Sequence, residues 1–278
     1  MEKKPAPARK PRTTVKKAKI ETGLNEEFTY ESEPPAPQAP KPPVDRRMDN
    51  NFVLVCGAPK RGKSHWIRWY ICDGMRQGKW DYIVVLSPTK SSDPNFSDWG
   101  FLDQDCIWDD PTTYEAALTK IVNNQKIIVN RVGHPPLPGE GRILLVCDDC
   151  LGSMQWNKPI WQNLSSTFRH KGIDLLISTQ ASTRLPYFMY EMATLGIIFR
   201  MDVQRAVDIV WDRWVAAFDT GKKNSVEFMA YMKEKMPLND HLFLQIDRNP
   251  NAENNIKLTR APPKQQFEKI RISFKKQH

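Results

Sequence analysis

Along this chain the apolar residues fall into two kinds of run. Short, unbroken apolar stretches stand at residues 51–56 (NFVLVC), 81–87 (DYIVVLS), 142–149 (RILLVCDD), 174–180 (DLLISTQ) and 195–200 (LGIIFR). Such continuity, without a polar face, predicts strands buried on both sides of a parallel sheet. Between them the apolar positions recur every four residues: Ile67, Ile71 and Met75 within 63–77, and Ile160, Leu164 and Phe168 within 158–169. That spacing predicts helices with one buried face. A further helix is predicted over 111–125, with Pro111 in its first turn, and residues 126–132 (KIIVNRV) read as a candidate extra strand. The Pro- and Gly-rich 133–141 (GHPPLPGEG) reads as a loop. Beyond 203 two helical stretches (203–218 and 225–236) and one strand (241–247, HLFLQID) are expected to extend the sheet edge, while FEKIRISF near the end reads equally as a loose strand or an adhesive tail. Strands alternating with helices predict an α/β, three-layer domain around a mainly parallel central sheet.

Composition divides the chain. Residues 1–47 hold nine of the 22 prolines and few large apolar groups, so a disordered basic Pro-rich tail is expected there. The folded domain is assigned to 48–250 and a second basic tail to 251–278. The formal net charge of +9 sits at the ends: residues 1–20 carry eight Lys or Arg against one Glu, and residues 256–278 carry seven against one. Basic ends attract polyanions with little sequence choice; they also serve as solubilising or nuclear-import segments. The longest apolar runs fall far short of the ~20 residues a bilayer span needs, and the first residues lack the apolar core of a signal peptide. A soluble intracellular protein is expected, with no membrane partner. Five cysteines are an odd count for a disulfide framework. Cys147 and Cys150 have the spacing of a metal knuckle, but no second pair accompanies them, and ordinary buried thiols are the expectation.

The first strand runs into Gly57-Ala58-Pro59-Lys60-Arg61-Gly62-Lys63-Ser64, which matches the eight-residue phosphate loop in every fixed position, with a strand before it and a helix after. Glycines let the backbone wrap close to phosphates, and successive N–H groups with the helix N-terminus form an anion nest. Lys63 is expected to neutralise the β- and γ-phosphate oxygens of ATP, and the Ser64 hydroxyl to ligate Mg²⁺. The run 143–149 ends in two acids. Asp148 is assigned to hold Mg²⁺ through water, and Asp149 to orient or deprotonate the attacking water. The alternative for both is an ordinary strand terminus. Gln180 closes the next strand, beside the acidic one, where it would sense or position the γ-phosphate or serve only as a capping amide. Arg169 falls at the end of the helix that descends from the nucleotide edge, hence at the opposite edge. It is placed to reach a neighbour's nucleotide in a ring, or else is a surface arginine favoured by the helix dipole. Arg184 and Arg200 are rivals from the nucleotide edge.

Three blocks in order carry a resemblance: the phosphate loop followed by ILLVCDDCLGS, then NLSSTFRHKGIDLLISTQASTRLP, then ATLGIIFRM. Together they resemble the genome-packaging ATPases of double-stranded DNA viruses, the poxvirus-like branch of the FtsK–HerA division, over residues 50–202. The resemblance implies a P-loop NTPase of the ASCE/RecA-like type. It would form a homo-oligomeric ring that moves double-stranded DNA into a preformed capsid and contacts capsid or portal vertex proteins. Lys63, Ser64, Asp148, Asp149 and Gln180 match the family's nucleotide residues one for one, and Arg169 matches its Arg-His position. The N-terminal extension and the loop after Ser87 (PTKSSDPNFSDWGFLDQD) depart from the family pattern. Three other readings stand beside this one: a DNA helicase or transfer ATPase with the same pocket; a nucleotide kinase, for which no arginine-rich lid follows Gln180; and a DNA-binding structural protein with a vestigial nucleotide fold, against which the intact loop and acids weigh.

Overall fold

The five unbroken apolar runs become five parallel strands that are buried throughout or nearly so. The structure, a computed structural model, describes residues 51–89, 102–180, 182–218, 220–248 and 255–260. The strands are β1 (Phe52–Cys56), β2 (Tyr82–Leu86), β3 (Ile107–Trp108), β4 (Ile143–Asp148), β5 (Ile173–Thr179), β6 (Leu195–Phe199), β7 (Leu242–Asp247) and β8 (Ile256–Arg260). They form one sheet in the order β3-β2-β4-β5-β1-β6-β7-β8. The first six in that order are mutually parallel, β7 is antiparallel to β6, and β8 is antiparallel to β7.

Alternate residues of each strand feed two separate cores, as the two-residue period of a strand requires. Val53 and Val55 of β1 pack with Trp66, Ile67 and Ile71 of helix α1 (Lys63–Arg76) on one face. Phe52, Leu54 and Cys56 face the other side. There they meet α2 (Tyr114–Val132), α3 (Pro159–Thr167), α4 (Tyr187–Met192), α5 (Gln204–Val210) and α6 (Ser225–Lys235). Helices on both faces of a mainly parallel sheet give the expected three layers.

Three expectations change. Residues 126–132 are not a strand but the last two turns of α2. The helix buries Tyr114, Leu118, Val122 and Gln125 on one face and leaves Ile127 exposed, so the apolar run 127–129 is a helix continuing past its own buried stripe. It stops at Gly133, whose left-handed backbone (φ +80°) donates its N–H to the Val129 carbonyl. Residues 203–218 are not one α-helix: α5 widens into a π-helical segment, Trp211–Val215, in which the Ala216 N–H reaches back five residues to the Trp211 carbonyl at 2.8 Å. That turn buries both Trp211 and Trp214, and Trp214 occupies the space left by Gly196 of β6, where a Cβ would come within 1.2 Å of its ring. The boundary at 250 also moves. Residues 256–260, assigned to a basic tail, pair along β7 from Ile246↔Ile256 to Leu242↔Arg260 as the sheet's last strand. The short helix α4 and the two-residue β3 were not anticipated. The tail 1–47, most of the loop after Ser87 and the segment FEKIRISF lie outside the described residues.

The amino edge of the sheet is held by a buried carboxylate. Asp174, at the start of β5 and fully buried, accepts hydrogen bonds from the Asn51 N–H (2.9 Å), the Trp80 Nε1–H (2.6 Å) and Arg142 Nη2 (3.2 Å), so it ties β1, β4, β5 and the segment entering β2. Asp81 in turn accepts the N–H groups of Gly139, Gly141 and Arg142, which folds the Pro- and Gly-rich loop under this edge. Removing one partner of a buried ion pair strands the other charge. Asp174→Ala is therefore expected to cost about 3–5 kcal/mol of stability, read as a lowered midpoint in denaturant unfolding. A midpoint unchanged from the parent would mean that the cluster is not what closes this edge.

Candidate nucleotide site

At the carboxyl edge, β1 stops at Cys56 and the chain turns across the sheet. The Gly57 N–H donates to the Thr179 carbonyl at the end of β5 (3.3 Å), and the Ala58 N–H to the Arg200 carbonyl at the end of β6 (3.4 Å). The loop thus starts wedged between the tips of its two neighbouring strands. Gly57 is required by space, since a Cβ there would lie 2.5 Å from the Phe199 Cβ. Gly62 is required by conformation: its φ of +100° sets the left-handed entry into α1, and its carbonyl accepts the Trp66 N–H at 2.9 Å. Lys60, at φ +60°, is a second left-handed position in the same loop. Such backbone leaves successive N–H groups turned inward, the form of an anion nest at a helix N-terminus.

Lys63 opens α1 and is 7% exposed, rather than lying free in a solvent-washed loop. Its ammonium donates to the carbonyls of Gly57 (2.8 Å) and Ala58 (2.9 Å), bridging the base of the loop. Burial holds its pKa below the usual lysine range, partly offset by the charges of Asp148 and Asp149. Ser64 follows in the same first turn, half-buried. Cys56, directly beneath the loop, has its thiol pushed up to about 12 by burial, against the pull of Lys63, and carries no thiolate at neutral pH.

The acids arrive on β4. Strand β5 lies between β1 and β4, so Asp148 sits two strands from the loop, level with Ser178, and is 9% exposed. Asp149 leaves the strand in a left-handed conformation (φ +52°), which turns its carboxylate along the sheet edge. Gln180, one residue past the end of β5, donates from Nε2 to Asp149 Oδ2 at 3.0 Å. Lys63, Asp148, Asp149 and Gln180 are thus gathered at the carboxyl ends of three adjacent parallel strands, as the sequence predicts. Cys150 then drops back into the core, its thiol donating to the Leu86 carbonyl at 3.0 Å. Cys147, within β4, is buried in the core on the α2 and α3 side of the sheet.

One carboxylate and one hydroxyl suit Mg²⁺, which is commonly held by one or two protein carboxylates with phosphate oxygens and waters completing its shell. Asp148 and Ser64 are the residues that would hold it. When bound, the ion would neutralise charge on the phosphate oxygens.

Arg169 is not part of this gathering. It lies in the 3₁₀ turn Phe168–Lys171, with its guanidinium 5.3 Å from the Phe168 ring, just ahead of β5. Seven residues of β5 separate that turn from Gln180, roughly 23 Å at strand rise. Arg184 lies in a short turn just beyond Gln180. Arg200, at the end of β6, is engaged within its own chain. Its Nε donates to Asp202 Oδ1 at 2.9 Å and its Nη1 to the Met236 carbonyl at 3.4 Å.

Two features of the site have no signal in the sequence. Arg61, inside the phosphate loop, pairs with the same Asp202 (3.0 Å). Burial pushes Asp202 up, but its bonds to Arg200 and Arg61 outweigh this and hold its carboxyl below the usual range. The other is His241, whose ring packs against Gly62. Its place follows only from the antiparallel return of β7 beside β6.

No protein-family model matches the chain, and no curated protein matches it in sequence. Solved structures do match. The genome packaging NTPase B204 of Sulfolobus turreted icosahedral virus 2, in complex with ATPγS, is 20% identical with a TM-score of 0.53, over 77% of this chain and 98% of that one. The same NTPase in complex with sulfate gives 19% identity and a TM-score of 0.55 over the same shares. The pCW3 conjugation coupling protein TcpA, a monomer form with ATPγS, gives 15% and 0.55 over 78% of this chain and 61% of that one. At these identities the shared property is the fold. The α/β fold of this chain, with its eight-stranded and mostly parallel sheet, matches the fold of these structures.

Proposed function

We propose that this chain hydrolyses ATP with Mg²⁺ and uses the cycle to drive double-stranded DNA into a viral capsid, within the poxvirus-like branch of the FtsK–HerA ATPases. The observation that carries the ATPase reading is the hydrogen bond from Gln180 to Asp149 at the same sheet edge as Lys63 and Asp148.

The chemistry assigned to these residues is short. The anion nest and Lys63 hold the β- and γ-phosphates. A water beside Asp149 attacks the γ-phosphorus; its new P–O bond forms as the bond from the γ-phosphorus to the β–γ bridging oxygen breaks. The water proton passes to the Asp149 carboxylate, and ADP and inorganic phosphate result. Gln180, with its amide nitrogen on Asp149, keeps its carbonyl oxygen for the attacking water. ATP and its products contact this trio differently, and only such differential binding can bias a moving element.

Packaging is favoured over conjugative transfer because the fold covers 98% of the viral packaging NTPase but 61% of the coupling protein. Purified chain with Mg²⁺ and ATP should release inorganic phosphate, faster with long duplex DNA, and displace a third strand from a duplex without separating the duplex itself. No phosphate release under these conditions overturns the ATPase; strand separation would favour a helicase.

The ring is part of the proposal. Arg169, out of reach of its own nucleotide, is assigned to the neighbouring subunit's γ-phosphate. Arg169→Ala mixed with Asp149→Ala is expected to recover part of the activity that each variant lacks alone, measured as phosphate release across mixing ratios. Recovery at no ratio removes the trans role.

A further inference from the structure

The residues assigned to phosphate and water lie on one side of β1, toward β4. A bound nucleotide also has a base, and the sheet edge on the other side of β1, toward β6 and β7, is not assigned by that chemistry. Among the described residues three non-glycine positions have positive φ: Lys60 in the phosphate loop, Asp149 at the acid pair, and His241. Strain of this kind persists where surrounding structure enforces it, and it clusters at functional sites. The first two lie in the site already described. His241, at φ +50°, stands just ahead of β7.

His241 is exposed, yet its position is closely determined. A Cβ built on Gly62 would lie 3.2 Å from both its Cβ and its Nδ1, so the imidazole rests against the last glycine of the loop, directly before Lys63. The turn that presents it is pinned at three points. Arg200 Nη1 donates to the Met236 carbonyl, the Asp240 N–H reaches the Pro237 carbonyl at 3.3 Å, and Arg260 of β8 pairs with Asp240 at 3.3 Å. The Arg61–Asp202–Arg200 chain links that turn back to the loop itself. An exposed aromatic ring set against the loop by its own left-handed backbone and the contact with Gly62 is preorganised for a flat partner. Strand β7 is two strands from β1, about 10 Å along the edge, and β4 is two strands away on the opposite side. A triphosphate whose γ-phosphate lies toward Asp149 directs its nucleoside toward His241.

We propose that His241 is the base platform of the site, stacking its imidazole on the base of the bound nucleoside triphosphate. The proposal rests on the reading of residues 57–64 as a nucleotide-binding loop. It assigns β7 and its turn, outside every motif in the sequence, to substrate recognition.

The test compares two ligands in the full-length chain with Mg²⁺: a non-hydrolysable ATP analogue, which has a base, and inorganic tripolyphosphate, which has none. His241→Asn and His241→Gly both remove the aromatic ring while accepting a left-handed backbone. Each is expected to weaken the analogue about tenfold and leave tripolyphosphate unchanged, as loss of one base–aromatic stack implies. Unchanged affinity for the analogue overturns the proposal. So does an equal loss for both ligands, which would make His241 a support for the loop rather than a platform. A parent protein that binds neither ligand instead overturns the nucleotide-site reading on which the proposal stands.

Discussion

Asp149→Asn is expected to lower ATP turnover by about 100- to 10,000-fold, the usual worth of a positioned general base, while nucleotide affinity stays near that of the parent. The substitution isolates the charge. Asparagine tolerates the left-handed backbone that Asp149 adopts, so the turn out of β4 is preserved. Its carbonyl oxygen can still accept the Gln180 amide hydrogen, so the contact across β5 is preserved too. Only the capacity to take a proton is lost. Steady-state phosphate release together with equilibrium binding of an ATP analogue checks this. Turnover within about twofold of the parent would place the base elsewhere and leave Asp149 a strand-end residue.

Lys63→Ala is expected to reduce turnover by at least 100- to 1,000-fold, about the loss on removing one preorganised donor to developing charge. Stability should move the other way. Burial depresses the folded-state pKa of Lys63 below its unfolded value. A buried cation of that kind costs stability in full below its folded pKa, and the cost is relieved only as pH rises through the folded toward the unfolded value. At neutral pH the cost is present, and alanine removes it, although the carbonyls of Gly57 and Ala58 lose their donor. A melting temperature equal to or above the parent's, with turnover lost, is the expected result; a trade of stability for activity is common at such positions. Retained turnover would dismiss the loop as the site. A fall of several degrees alongside lost turnover would make the ammonium a structural clamp first.

The parts of this site that were legible in the sequence are local in the chain. Residues 57–64 form a single turn, Asp148 and Asp149 are adjacent, and Gln180 ends an apolar run. Strands buried on both faces write themselves as uninterrupted apolar stretches, so β1, β2, β4, β5 and β6 were readable to within a residue or two. What was not legible depends on who stands beside whom. Arg61 and Asp202 are 141 positions apart, and Gly62 and His241 further still, so nothing in either neighbourhood marks the contact. Strand β8 (IKLTR) is an edge strand, polar and half-exposed, and carries no apolar run to announce it. Ile127 misled for the opposite reason: an apolar residue on the solvent side of α2 continued a run that its neighbours had already ended. The burial of Lys63 was hidden because the loop pattern records residue types and not the carbonyls folded back over them.

The sheet topology also fixes where the two cationic ends of the molecule depart. Asn51 enters β1 at the edge bearing Asp174, so the segment with eight lysines and arginines in its first twenty residues joins the body on that side. Strand β8 runs the same way as β1 and delivers Arg260 beside Asp240, next to the phosphate loop. The described body therefore has its first residue, Asn51, and its last, Arg260, at opposite edges of one sheet, so the joins to the two cationic segments are separated by the length of a strand.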